Sequence, residues 1–266
     1  MKGTLRYIEM NQEDKKRNLR KNFSMTKIST GSKGLDEMLC GGFPRGRTYL
    51  VSGGPGTGKT IFSLQYLMAA VERGEPGIYV TLEEPLNLIR ENIDSFGWNL
   101  RQKELNHRLR MLDFSTVPFE SGSSELRDRD GRETFSIIQE IVNAIKAINA
   151  EHVVIDPLTS LVIHEQRSGV KRYKIAELFY EMRKTGCTSI FTSEITSSEG
   201  EFYMEDFLAD GTIHLEKIIQ DLTLIKTIRI EKMRGTEYDE QPKRYIIDER
   251  GFTVFNEEPI KKTLYY

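Results

Sequence analysis

The residues whose spacing most directly implies chemistry are Gly53-Gly54-Pro55-Gly56-Thr57-Gly58-Lys59-Thr60, which match G-x-x-x-x-G-K-[ST]. Glycines permit positive φ, so consecutive backbone N–H groups can point at phosphate oxygens. A helix that starts at Lys59 adds its free N–H groups and the positive end of its dipole, and it carries the nucleotide-binding set on through Ile61. Lys59 is the mobile cation for the β- and γ-phosphates, and the Thr60 hydroxyl is a magnesium ligand. The expected ligand is ATP or ADP with Mg²⁺.

Three further groups could complete such a site. The run His152-Val153-Val154-Ile155-Asp156 reads as an apolar strand that delivers a carboxylate to the sheet edge where ligands of open α/β sheets sit. Asp156 is the second candidate magnesium ligand, direct or through a water; the competing reading is an aspartate that caps a helix after Pro157. Glu83 and Glu84 end another strand just before Pro85. A carboxylate there can orient and deprotonate a water, while two solvated acids favoured by a helix dipole would look the same. Lys232 and Arg234 stand at i and i+2 of a strand, so both project from one face and can meet one anion while Met233 points away. The plain alternative is two surface bases on an edge strand.

These groups need a scaffold, and the periodicity supplies one. Short β-rich runs at 48–52, 77–82, 109–114, 153–155 and 188–193 alternate with helical patterns at 59–72, 132–150 and 170–184. The second of these helices carries Phe135, Ile138, Ile141, Val142, Ile145 and Ile148 on one stripe. After Gly211 the period changes to two, with strands near 212–216, 222–233, 243–248 and 252–255 that are expected to be antiparallel. The prediction is an α/β fold: a mostly parallel sheet flanked by helices, with a C-terminal antiparallel β extension.

Composition bounds the rest. A chain of 266 residues suits one such domain, read here as 26–256 with a polar N-terminal extension over 1–25 and a tail over 257–266. The extension holds Lys2, Arg6, Lys15, Lys16, Arg17, Arg20 and Lys21 against Glu9, Glu13 and Asp14, and reads as a solvated tail or surface helix. A net charge of −2 does not suggest a general polyanion binder. No apolar run is long enough to span a membrane. The first 25 residues lack the apolar core of a signal peptide. Cys40 and Cys187 show no metal or redox spacing, and two buried or inert thiols in a reducing cytoplasm are expected.

The segments ISTGSKGLDEML, GGFPRGRTYLVSGGPGTGKT, IYVTLEEP, VVIDPLTSL, ADGTIHLE and EKMRGTEYD occur in the order seen in KaiC-type ATPase domains of the RecA superfamily. The resemblance covers roughly 26–256, in a single domain where the bacterial clock proteins carry two in tandem. It implies a RecA-like P-loop core assembled as a homo-oligomer, expected as a hexameric ring. It implies that Glu83 and Glu84 are catalytic bases. It also implies that Lys232 and Arg234 reach the γ-phosphate of a neighbouring subunit, and that Ser193-Glu194 is a polar sensor beside the nucleotide. One departure matters: Asp206 and Phe207 stand near the positions of the self-phosphorylated Ser and Thr, and neither can accept a phosphate. That argues against autokinase activity and a timing role.

The expected function is slow, magnesium-dependent ATP hydrolysis by an oligomer that regulates a partner protein the sequence does not identify. A RecA-like DNA-binding ATPase is the main rival. Its first candidate loop, 164–174, carries Arg167, Lys171, Arg172 and Lys174, but the second, 194–210, holds six acids and no bases and would repel a phosphate backbone. A nucleotide-gated scaffold with little hydrolysis is the third reading.

Overall fold

In the computed structural model, which describes residues 26–116, 132–163, 165, 167–194, 204–220 and 222–257, the apolar runs become the strands of one large sheet. Its strands are β3 (Thr48–Gly53), β4 (Gly77–Thr81), β5 (Leu109–Asp113), β6 (His152–Asp156), β7 (Thr188–Ser193), β8 (Gly211–Gln220), β9 (Thr223–Met233), β10 (Lys243–Asp248) and β11 (Gly251–Phe255). A separate antiparallel pair joins β1 (Lys27–Ile28) to β2 (Phe43–Pro44). The helices are α1 (Lys33–Met38), α2 (Lys59–Glu72), α3 (Leu86–Ile93), α4 (Leu100–Leu105), α5 (Arg132–Ile148), α6 (Ser168–Thr185) and α7 (Met204–Leu208). The 1–25 extension, most of the 121–132 loop and the 257–266 tail beyond residue 257 lie outside the described residues, as do 195–203 of the acidic loop.

The order across the sheet is β11-β10-β9-β8-β3-β7-β6-β4-β5. Every pairing from β8 to β5 is parallel. The antiparallel extension therefore begins at β9, not at β8 as the change of period suggested. A period of two reports one covered and one open face, not the direction of the neighbour. Direction is set by the connection: β8 returns from β7 through a crossover that contains α7, and a crossover makes parallel neighbours.

Both faces of the central strands are covered. Val51, Tyr79, Val154, Ile190 and Ile213 pack in one core with Phe62, Tyr66 and Leu67 of α2. Leu50, Ile78, Val80, Val153, Ile155 and Phe191 form the other with α5 and α6. Ile138, Ile141, Val142 and Ile145 of the expected α5 stripe are buried, as are Ile175, Leu178, Phe179 and Met182 of α6. Strands buried on both faces explain why the central runs are nearly continuous Val, Ile and Tyr. Both cysteines are free, but only Cys187 is buried; Cys40 is exposed in the turn after α1 at φ 53. No described helix is long and apolar enough to cross a membrane.

Candidate functional site

Because β3, β7, β6 and β4 are parallel neighbours, their C-terminal ends share one edge. The loop after β3 turns into α2 there, with Gly58 at φ 96 as its last residue before Lys59. At Gly53 an added Cβ would sit 2.6 Å from the Leu215 carbonyl oxygen and 2.8 Å from Thr57 Oγ1, so the loop leaves the sheet through a gap only glycine fits. At Gly58 an added Cβ would fall 2.1 Å from Ile247 Cδ1. Lys59 Nζ donates to the carbonyls of Gly53 (2.8 Å) and Gly54 (3.3 Å). The Pro55 carbonyl accepts from Lys217 Nζ at 2.7 Å, and the Thr57 carbonyl from the Tyr245 hydroxyl at 2.6 Å. In a trans peptide the N–H lies opposite its C=O, so these contacts turn the N–H groups of Gly54, Gly56 and Gly58 away from those side chains. Ile61, one residue into α2 from Thr60, is half-buried against the core.

Asp156, only 6% exposed, receives three hydroxyls. Oδ2 accepts from Thr60 Oγ1 at 2.7 Å and from the Tyr79 hydroxyl at 2.6 Å, and Oδ1 accepts from Thr192 Oγ1. The Thr60 hydroxyl and this carboxylate are hard oxygen donors set side by side, the set a magnesium ion takes together with phosphate oxygens. Among the described residues no cluster of three or more His, Cys, Asp or Glu could hold a metal ion by itself, so a cation here would need such oxygens from a ligand. Burial and the Asp156 charge both drive the Tyr79 phenol well above its usual range, keeping it a donor.

Charge is concentrated along the same edge. Burial lowers the Lys59 ammonium below its usual range, against the opposing pull of Glu194, Asp156 and Glu83. Glu194 Oε1 lies 4.0 Å from Lys59 Nζ, which places the end of β7 against the loop. Glu83 accepts from Ser160 Oγ at 3.2 Å and is exposed. Glu84 is half-buried and accepts from Asn92 Nδ2 at 2.7 Å. Burial, then the charge of Asp156, raises the Glu84 carboxyl above the ordinary range. The two glutamates thus differ in setting, but not through strand alternation: β4 ends at Thr81, and both lie in the bend that follows it, not at the strand end expected from the sequence.

Lys232 and Arg234 are not part of this cluster. Met233 pairs with Gly211, and Gly211 with Tyr49 at the start of β3, whereas the loop leaves β3 at Gly53. Four residues of strand, about 13 Å, separate the two levels. At that opposite edge Lys232 Nζ donates to the Asp206 carbonyl, and Arg234 Nη2 to the Phe207 carbonyl at 3.1 Å. Asp210 fastens the corner: its Oδ2 accepts from Thr48 N at 3.1 Å and Thr48 Oγ1 at 2.9 Å. Its Oδ1 lies 3.4 Å from Arg183 and 4.0 Å from Arg234.

Sequence reasoning missed Tyr79 and Thr192 on Asp156, and Lys217 and Tyr245 on the loop. In one sequence these are ordinary strand residues, since Tyr and Thr favour strands in any case. Only strand register brings them to the site: Thr81 lies opposite Asp156, Ser52 opposite Ser193, Gly53 opposite Leu215, and Lys226 opposite both Lys217 and Tyr245.

The geometry has close counterparts among known proteins. The family model described as "ATPase: KaiC" matches residues 28–259. A UPF0273 protein of Pyrococcus furiosus is 36% identical over 246 residues, covering 90% of this chain and 98% of that one. The circadian clock oscillator protein KaiC of Prochlorococcus marinus is 35% identical over 234 residues, which make up 86% of this chain and 46% of that protein. The crystal structure of a KaiC-like protein from Pyrococcus horikoshii superposes with a TM-score of 0.75 at 31% identity, over 87% of this chain and 99% of that one. The parallel sheet with its antiparallel extension is the RecA-like P-loop architecture implied by the sequence segments.

Proposed function

This chain belongs to the KaiC ATPase family, and from that premise we propose that it binds ATP with Mg²⁺ and hydrolyses it slowly as a homo-oligomer, a hexameric ring in the simplest case. The observation that carries the reading is the convergence on one sheet edge of the phosphate loop, the Thr60–Asp156 pair at 2.7 Å, and Glu83 and Glu84. Bound magnesium would neutralise charge on the β- and γ-phosphate oxygens. Lys59 would exchange its loop carbonyls for phosphate, and Thr60 and Asp156 would hold the cation. Glu84, whose raised proton affinity suits a base, orients and deprotonates the attacking water together with Glu83. Lys232 and Arg234, too far from their own loop, serve the γ-phosphate of an adjacent subunit.

We assign this unit to 26–256, with 1–25 and 257–266 as appendages, in a cytoplasmic protein that regulates a partner. ATP turnover measured with light scattering on the same sample tests the reading. Lys59→Ala removes the loop's mobile cation and should abolish measurable ATP binding by calorimetry while the protein stays folded. Parent-like affinity would sink the assignment. Turnover should not respond to DNA.

A further inference from the structure

The loop holds a second lysine that no motif contains. Lys217 lies on β8, two residues past Leu215, which pairs with Gly53 at the end of β3. Because β8 outruns β3, its continuation stands beside the phosphate loop instead of beneath it. Lys217 Nζ is 2.7 Å from the Pro55 carbonyl oxygen and 2.9 Å from where a Cβ on Gly56 would sit. Its ammonium stands on the same short loop as that of Lys59, which holds Gly53 and Gly54. Across the hairpin it faces another cation, Lys226, in direct register. Like charges set opposite on a sheet are unfavourable, and a polyanion at the loop would relieve both contacts.

Lys59, which is buried, and Lys217, which is exposed, also hold the same loop. Each holds carbonyls of the same loop, Gly53 and Gly54 in one case and Pro55 in the other. A carbonyl is a weaker partner for an ammonium than a phosphate oxygen, whose hydrogen bonds are charge-assisted on both sides. From this juxtaposition we propose that Lys217 is a second cation of the phosphate site, supplied by the same subunit, which leaves Pro55 to donate to the polyphosphate of a bound nucleotide. The inference rests on the nucleotide-site reading above and adds to it a contact from outside the motif.

The test is calorimetry with ATP and magnesium on the whole protein, across a range of salt, for the parent, Lys217→Gln, Lys217→Arg and Lys59→Ala, each checked for an unchanged melting temperature without nucleotide. Lys217→Gln should bind ATP about tenfold more weakly at low salt, as expected for one charge-assisted hydrogen bond at an exposed position. The deficit should shrink as salt rises, because the lost term is a charge interaction. Lys217→Arg should restore most of the affinity. A deficit that ignores salt, or one that arginine fails to repair, would make Lys217 a loop clamp and overturn the proposal. So would parent-like binding by Lys217→Gln while Lys59→Ala is impaired. If Lys59→Ala also binds as the parent does, the nucleotide site itself has been misplaced.

Discussion

At the scale of single residues, the carboxylates of Glu83 and Glu84 sit in different surroundings. Glu84 is half-buried close to Asp156 and is raised above the ordinary carboxylate range, whereas Glu83 is exposed with Ser160 as its donor. Replacing both by Gln keeps shape and hydrogen bonding but removes the base. ATP affinity by calorimetry should stay within about threefold of the parent, and turnover should fall by at least about 100-fold, the low end of a general-base contribution. A double variant that hydrolyses ATP at the parent rate would place the base elsewhere. The glutamates were visible in the sequence because they are adjacent and precede Pro85. The Tyr79 and Thr192 hydroxyls on Asp156 were not, because they come from two other strands, β4 and β7.

Elements are held together by a second buried network, at the sheet edge away from the loop. His152 begins β6 with no exposed surface, its Nδ1 2.6 Å from the Tyr66 hydroxyl of α2 and its Nε2 3.1 Å from Glu75. The partners fix a neutral tautomer: the tyrosine donates to Nδ1 and Nε2–H donates to Glu75. The Glu75 carboxylate favours a charged imidazole, but burial outweighs it, helped by Arg45 and Arg73, and the His152 pKa falls to about 4. A group whose folded value is depressed binds more protons unfolded, so its contribution is full above the unfolded value and is lost as pH falls. His214, also lowered to about 4, adds a contribution of the same sign. From the two histidines, the melting temperature should therefore be nearly level above about pH 6.5 and decline between that and about pH 4. His152→Gln should flatten part of that slope; a parent curve level down to pH 4.5 would contradict the assignment. This scale was also where the sequence was half legible. The start of α2 at Lys59 and its extent to Glu72 could be read from glycines and apolar spacing, but the direction of β8 could not, since it depends on a crossover rather than on the strand's own residues.

The whole molecule carries the two sets of groups assigned above to ATP hydrolysis at opposite edges of one sheet, the loop beyond Gly53 and the cations after Glu231. Under the proposed assembly, Arg234→Ala subunits should bind ATP normally yet lose most hydrolysis, since an arginine supplied to a γ-phosphate contributes on the order of 10³–10⁵ in rate elsewhere. Mixing them with subunits carrying Glu83→Gln and Glu84→Gln should restore turnover, because some junctions then pair intact glutamates with an intact Arg234. Mixed assemblies as inactive as either component would show that the cations do not act between subunits. The same separation has a consequence for counting. A subunit that offers cations at one edge and receives them at the other forms head-to-tail contacts, in which the two partners present different surfaces. In an open row of such subunits one terminal loop always goes without cations, so n subunits complete n − 1 sites. Only closure completes the last one, and the gain is proportionally largest for small assemblies: a dimer that cannot close works at half strength, while a closed ring has no end to leave unfinished.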